Sequence, residues 1–399
     1  MRDDASLRIA LLTHSVNPRG GVVHTLELAN ALQAAGHAVT VFAPAAPGQR
    51  LFRETACRVS LVPVAGTPRD LVAMVRSRID AFTRQLGGLL ARGEHFDVWH
   101  THDSIGGNAL ADLQAGRHIE GFVRTVHHLD HFDAPQLMHW QQRAFEAATQ
   151  VFTVSRLWRE HLADVHGIAA MQVDNGVDMA RFSPRAQPED AGLAHRLGIE
   201  AGGPIVLAMG GVEERKNTVR LLQAFAQLHA TQPRARLLIA GGVSLLDHAA
   251  YARRFDEALA ALGWGAGPGQ PVQLLGAIAD ADMPGLYRLA DVVAMPSTRE
   301  GFGLVVLEAL ASGAPVVASR IAPFTDHLND ADVSWADPLS VPSIADALAH
   351  ALHTRDAQRT ATSAARLARR FSWPASAARH VQLYRAGLAQ RAPALAQAA

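Results

Sequence analysis

Short apolar runs alternate with amphipathic stretches along most of the chain. Arg8-Ile-Ala-Leu-Leu-Thr13 reads as a strand, the loop Asn17-Pro-Arg-Gly-Gly21 follows, and an amphipathic helix runs from Val22 to about Ala35, where Gly36 ends it. Val39-Thr-Val-Phe42 is a second strand, and further strands are expected over residues 58–62, 97–101, 122–126 and 151–154, with helices between. The helix expected from about Arg69 to Arg92 places Leu71, Val75, Ile79, Phe82, Leu86 and Leu89 on one stripe, which suits a core-facing helix. Arg76, Arg78 and Arg84 on its other side leave a weak peripheral membrane or acceptor contact as the second reading. A polar, glycine-bearing segment over residues 187–203 reads as surface linkage, and a second alternation then begins. Strands are expected over 205–209, 236–240, 272–275, 291–295 and 315–318, with helices over 218–230, 251–262, 283–290 and 304–311. The final segment, Phe371-Ser-Trp373 onward to Tyr384, reads as a helix.

Strand, glycine turn and helix in succession form the first unit of a parallel, doubly wound α/β sheet. The first turn lacks the G-x-G-x-x-G spacing, so a dehydrogenase cofactor is not expected. Gly20 and Gly21 either let the backbone approach a ligand at the helix start or form a plain tight turn. A chain of 399 residues exceeds one ordinary core and fits two domains. Its zero formal charge argues against a nucleic-acid partner. The single cysteine, Cys57, excludes an internal disulfide and fits a reducing, cytoplasmic setting. Residues 7–13 are too short and too polar for a signal peptide, and no apolar run reaches 18 residues. Of 37 basic residues all but Lys216 are arginine, so this one position points to a need for a compact ammonium.

The densest chemistry lies in Arg299-Glu-Gly-Phe-Gly-Leu-Val-Val-Leu-Glu308. Pro296 and Ser297 close the strand before it, the helix begins near Gly303, and Gly313-Ala-Pro315 stops it. At 1.5 Å rise per residue the Glu300 and Glu308 carboxylates stand roughly 12 Å apart or less. That is wide for a glycosidase pair, whose carboxyls lie about 5 to 9.5 Å apart. It suits two hydroxyl-bearing ends of one long ligand with an anion between them at the helix-start amides. The plainer alternative is a surface helix with two solvated glutamates. A second basic loop, Gly210-Gly-Val-Glu-Glu-Arg-Lys-Asn217, lies between a strand and a helix, where Arg215 and Lys216 can neutralise a diphosphate and Asn217 or Thr218 can cap the helix. His127-His-Leu-Asp-His-Phe-Asp133 mixes histidine and carboxylate at spacings that also suit zinc. Asp280-Ala-Asp282 and Asp330-Ala-Asp332 read as helix caps.

Glu-Gly-Phe-Gly-Leu with a second glutamate eight residues after the first resembles the signature of the retaining nucleotide-sugar glycosyltransferases of family 4, and the resemblance extends over nearly the whole chain. It implies a GT-B fold: two doubly wound Rossmann-like domains facing a central cleft. An acceptor-side domain would span 1–178 and end at the hinge-like Val173-Asp-Asn-Gly-Val-Asp178, a nucleotide-sugar domain 179–370, and a helix over 371–391 would return to the first domain. The resemblance assigns Lys216 to the leaving diphosphate with Arg215 beside it, because the arginine that the family carries earlier in the loop falls on Gly211 here. It gives Glu300 the sugar hydroxyls with the amides from Phe302 through Gly303 to Leu304, Glu308 the ribose hydroxyls, and Gly276 to Ile278 the base. His127, closing a strand, would touch the donor sugar and shape the acceptor side, and His100, His102 and Asp103 are candidates for the acceptor side. No cofactor and no metal are implied beyond a nucleoside-diphosphate sugar as co-substrate. The acceptor, whether a small molecule, lipid-linked or a polysaccharide, is left open. So are a sugar phosphorylase or nucleotide-sugar epimerase on the same fold, and a non-catalytic sugar-nucleotide binder.

Overall fold

A computed structural model describes residues 5–65, 70–200, 202–242 and 248–398, with side chains described as far as residue 391. The chain divides into two compact units, Met1–Gly176 with Phe371–Ala399 and Val177–Arg370.

The first unit runs β1 (Arg8–Leu12), α1 (Gly20–Ala34), β2 (Ala38–Ala45), β3 (Arg58–Pro63), α2 (Leu71–Ala91), β4 (Val98–Thr101), α3 (Ser104–Ala115), β5 (Val123–Val126), α4 (Pro135–Glu146), β6 (Gln150–Thr153), α5 (Arg156–His166) and β7 (Met171–Gln172). Its strands form one seven-stranded sheet in the order β3-β2-β1-β4-β5-β6-β7, every pairing parallel. β1 is apolar after its first residue because a parallel strand is covered on both faces. Ile9 and Leu11 join the core beneath α1, whereas Ala10 and Leu12 join the opposite core with Ile79, Phe82 and Leu86 of α2. The stripe read from sequence is therefore the buried face of α2; the expected start at Arg69 lies outside the described residues. Two arginines of that helix turn toward the protein: Arg78 Nη1 donates to the His14 carbonyl at 3.0 Å, and the Arg76 guanidinium lies 5.0 Å from the Trp140 ring centre.

The second unit runs α6 (Asp190–Arg196), β8 (Ile205–Met209), α7 (Thr218–Thr231), β9 (Arg236–Ala240), α8 (Ala249–Ala261), β10 (Val272–Gly276), α9 (Met283–Leu289), β11 (Val292–Met295), α10 (Leu304–Ala311), β12 (Val316–Ser319), α11 (Phe324–His327), β13 (Ser334–Ala336), α12 (Val341–His353) and α13 (Ala357–Arg370). Its six parallel strands take the order β10-β9-β8-β11-β12-β13. The segment over 187–203, expected to be bare linkage, holds α6, whose Leu193 is buried. The chain closes with α14 (Trp373–Ala398), which supplies Ala377, Leu383 and Tyr384 to the core on the α1 side of the first sheet. Among the described residues no helix is long and apolar enough to cross a membrane.

Candidate functional site

Both sheets reverse their strand order next to their first strand, between β1 and β4 and between β8 and β11. In open parallel sheets the ligand crevice opens at the carboxyl ends of the strands at that reversal. In the second unit the loop after β8 carries Arg215 and Lys216, the loop after β11 carries Glu300, and the two loops meet. Lys216 Nζ donates to Glu300 Oε1 at 2.6 Å, Arg215 Nη1 donates to the same oxygen at 3.2 Å, and Ser297 Oγ donates to it at 3.0 Å. Arg215 Nη2 also reaches Glu213 Oε2 at 3.3 Å. Burial alone would raise the Glu300 carboxyl, but Lys216 and then Arg215 outweigh it and hold the group at about 2. Burial draws the Lys216 ammonium below its ordinary value, with Glu300 pulling the other way. Two cations thus stand on one fully ionised carboxylate at the strand ends.

The loop is shaped around the lysine. A Cβ at Gly210 would sit 2.6 Å from Lys216 Cε, so the ammonium stem lies directly on the bare backbone. Gly211, where the family resemblance leads one to expect arginine, has φ +75°, a conformation an arginine would adopt only with strain. Arg215 supplies the second cation instead. Asn217 does not cap α7 as the sequence suggested. It occupies the cap position in a left-handed conformation (φ 61°) and makes no side-chain cap bond, and Thr218 Oγ1 has no hydrogen-bond partner. The Asn217 amide instead donates to the Pro296 carbonyl at 2.9 Å and the Pro338 carbonyl at 2.6 Å, tying the basic loop to the exit of β11.

Glu300 leads into the turn that starts α10. Phe302 is buried and stacks on His327, ring centres 4.8 Å apart with an 11° interplanar angle. Gly303 takes the cap position with φ 94° and ψ 47°, and Leu304 is the first helical residue. One helical turn on, Glu308 Oε2 accepts a 2.8 Å hydrogen bond from the Tyr287 hydroxyl. Burial, and Glu308 beside it, push that hydroxyl well above the ordinary tyrosine range, so it stays a donor. A hydrogen bond to a charged group contributes about 1.5 to 3 kcal/mol. Tyr287→Phe is therefore expected to lower the unfolding free energy of the second unit by about that much, read from the urea midpoint at unchanged slope. Tyr287 carries no motif of its own in the sequence; its role here comes from packing. Gly276 ends β10 with φ +66°, its carbonyl accepting from the Gly241 amide at 2.8 Å, and Ile278 follows in the next loop. The aspartate pairs are ion-paired and do not cap helices. Asp280 meets Arg181 at 2.9 Å, Asp282 meets Arg196 at 2.7 Å, Asp330 meets Arg320 at 3.2 Å, and Asp332 meets Arg366.

In the first unit Gly20 and Gly21 lie inside the first turn of α1, one residue or two earlier than the sequence placed the helix start. A Cβ at Gly21 would contact His127 Cδ2 at 3.6 Å, so the glycine turn and the end of β5 are neighbours. His127 does not gather the residues that follow it. His128 pairs with Asp130 at 3.2 Å, while His127 Nε2 faces His102 Nδ1 at 3.4 Å and its ring lies 4.7 Å from that of His24. His24 sits on α1, and no sequence motif singled it out. His100 turns into the core: Nδ1 meets the Tyr384 hydroxyl at 2.6 Å and Nε2 meets Thr125 Oγ1 at 2.7 Å, so it does not line an acceptor surface. Asp103 caps α3, accepting from the Gly106 amide at 2.8 Å through Oδ1, while Oδ2 is buried without a partner. Arg124 is buried on β5. Its Nη1 donates to the Thr125 carbonyl, its Nε has no partner, and burial lowers its guanidinium to about 10.

Two family models match the chain, "Glycosyltransferase Family 4" over residues 18–181 and "Glycosyl transferases group 1" over residues 193–368. The chain is similar to a D-inositol 3-phosphate glycosyltransferase of Kineococcus radiotolerans, 32% identical over 98% of this chain and 98% of that one. It is also similar to a phosphatidyl-myo-inositol mannosyltransferase of Mycolicibacterium smegmatis, 31% identical over 95% of this chain and 93% of that one. Among solved structures, the sucrose-phosphate synthase of Thermosynechococcus elongatus superposes with a TM-score of 0.76 at 24% identity, covering 96% of this chain and 99% of that one. Anabaena HepE in complex with UDP and glucose superposes at 0.73 with 18% identity, covering 94% and 99%.

Proposed function

The chain belongs to the family 4 glycosyltransferases, and from that premise we propose that it moves a hexose-type sugar from a nucleoside-diphosphate sugar to a hydroxyl of a phosphate-bearing polyol, with retention of configuration. The observation that carries this reading is the pair of cations, Arg215 and Lys216, held by Glu300 at the strand ends beside the start of α10. A diphosphate seated there would meet an ammonium, a guanidinium and a helix N-terminus, all of which stabilise the charge that grows as the bond to the sugar breaks. Glu300 would receive the sugar hydroxyls and Glu308 the ribose hydroxyls. The acceptor hydroxyl attacks the anomeric carbon from the face the diphosphate leaves. The bond from that carbon to the phosphate oxygen breaks, and the departing oxygen takes the hydroxyl proton. With two side-chain cations and the helix start at the diphosphate, charge neutralisation there calls for no metal.

The acceptor class rests on two further observations. Relatives similar over nearly the full chain are named for D-inositol 3-phosphate and for phosphatidyl-myo-inositol, both of which carry a phosphate on an inositol. The first unit offers two basic groups suited to such a phosphate: Arg124, buried on β5, and Arg78, partly buried on α2, whose guanidinium reaches the His14 carbonyl after β1. Arg78 is lowered by burial, raised by Asp103 and lowered by Arg19, so both charge signs converge on this end of the sheet.

Four measurements test the reading. Melting shifts with UDP-, GDP- and ADP-sugars should single out one nucleotide class, about 2.7 kcal/mol of stabilisation accruing at 100 times the dissociation constant. With that donor, product formed on myo-inositol phosphate should show the donor's anomeric configuration by NMR, and myo-inositol itself should react at least tenfold more slowly. An inverted linkage sinks retention. Equal rates on the two acceptors sink the phosphate requirement. Turnover with free phosphate and no nucleotide would make the chain a phosphorylase.

A further inference from the structure

Three histidines from separate elements of the first unit converge: His24 on α1, His102 just after β4 and His127 just after β5. One ring nitrogen from each lies within 4.8 Å of the others, the only such grouping of three metal-ligating side chains among the described residues. Strand order explains the convergence, since β1, β4 and β5 are neighbours and each of these residues stands at or just beyond the carboxyl end of its strand or in the helix that follows. His24 and His102 are buried and His127 is partly buried.

The hydrogen bonding of these rings is incomplete. His24 Nδ1 meets Asn175 Oδ1 at 2.6 Å, and since that oxygen can only accept, Nδ1 carries the proton and Nε2 the lone pair. That Nε2 is buried and has no partner. The His102 Nδ1 to His127 Nε2 separation of 3.4 Å is long for a hydrogen bond. It matches two nitrogens sharing one zinc ion, since zinc–nitrogen bonds of about 2.0 to 2.1 Å at a tetrahedral angle put the nitrogens about 3.3 to 3.4 Å apart. Asn175 on His24 is the kind of outer partner that orients a ligating imidazole and fixes its tautomer.

We propose that His24, His102 and His127 form a binding site for a zinc-like divalent transition metal, with the fourth position open to water or a ligand oxygen. Three histidines and an open position are the ligand set of an open zinc site that takes water or a ligand in its fourth place, whereas closed structural sites use four protein ligands. The His128–Asp130 pair lies outside it, so the sequence run that first suggested zinc contributes only its first residue.

Zinc alone is the probe. Titration of chelator-stripped full-length protein against a competing chromophoric chelator should give one zinc per chain, and cobalt should give the visible absorption of a tetrahedral site. His24→Ala and His102→Ala should each abolish this stoichiometric uptake. Asn175→Ala, which keeps all three ligands, should weaken it tenfold to 100-fold. His128→Ala should leave it unchanged. Circular dichroism of each metal-free variant separates loss of the site from loss of the fold, and Asn175→Ala decides the matter where a histidine variant is misfolded. Absence of stoichiometric zinc in the wild type, or uptake insensitive to Asn175→Ala and His24→Ala but lost in His128→Ala, overturns the proposal.

Discussion

Lys216→Ala will lower kcat/KM for sugar transfer by about 10²- to 10³-fold, the loss seen when one preorganised donor to a developing anion is removed. The expectation follows from how this lysine is held. Its ammonium is 2.6 Å from Glu300 Oε1, its stem lies on Gly210, and its side chain is largely buried. It therefore cannot swing away, and no other lysine exists in the chain to replace it. Arg215 remains 3.2 Å from the same carboxylate, so the variant keeps Glu300 paired and should fold. Most of the loss should appear in kcat, because the charge on the leaving phosphate is larger in the transition state than in the bound donor. Lys216→Arg should not restore the rate, since the wider guanidinium lacks room above the Gly210 backbone. Steady-state rates under saturating acceptor check both variants. A Lys216→Ala enzyme within threefold of wild type would remove this residue from the departure of the diphosphate.

The second large effect is on stability. Gly303→Ala should lower the unfolding free energy of the second unit by about 2 to 5 kcal/mol. A left-handed conformation costs a non-glycine residue about 1 to 2 kcal/mol, and Gly303 sits at φ 94°. The new Cβ would also lie 2.4 Å from Phe324 Cε1, and Phe324 is fully buried, so its ring has no open space to enter. Overpacking of that kind adds about 1 to 3 kcal/mol. The two contributions are separable by denaturant unfolding. In a Phe324→Leu background the steric part of the Gly303→Ala penalty should shrink while the conformational part persists. If the penalty is the same in both backgrounds, the ring is not what excludes a side chain. Because Phe302 and His327 stack beside this turn, the variant should also transfer sugar more slowly than wild type.

Legibility in the sequence followed the range of the interactions. The strands were readable because parallel strands buried on both faces are apolar runs, as β1 and β11 are, and α10 was readable from the glycines on either side of it. Beyond a helix cap at Asp330-Ala-Asp332, the reading gave no element bounds between Ala318 and Phe371, yet α11, β13, α12 and α13 lie there. Ser340, whose hydroxyl caps α12 by accepting from the Ser343 amide at 3.2 Å, with a proline in the first turn, was the missed signal. The basic loop and Glu300 were legible one by one through the family signature, but their mutual contact depends on β8 and β11 being neighbours, which no local pattern encodes. Asn217 shows the limit most clearly. An asparagine before a helix looks like a cap, but its amide is claimed by two carbonyls, those of Pro296 and Pro338, from distant loops. His24 was invisible for the same reason, one of several polar residues in an amphipathic helix, with its partners in loops that follow other strands.

The placement of α14 bears on the order in which the chain can fold during synthesis. The second unit is one continuous stretch, Val177–Arg370, inserted into a first unit whose last helix comes from the end of the chain. A ribosome that has delivered Arg370 has released everything the inserted unit needs. The earlier-made unit still lacks Ala377, Leu383 and Tyr384, which share a core with Ile9, Leu11 and Val98, and His100 still lacks the hydroxyl that meets its Nδ1. The part translated first is thus completed last, and until α14 arrives one apolar face of its sheet lacks part of its cover, the kind of surface on which chaperones act.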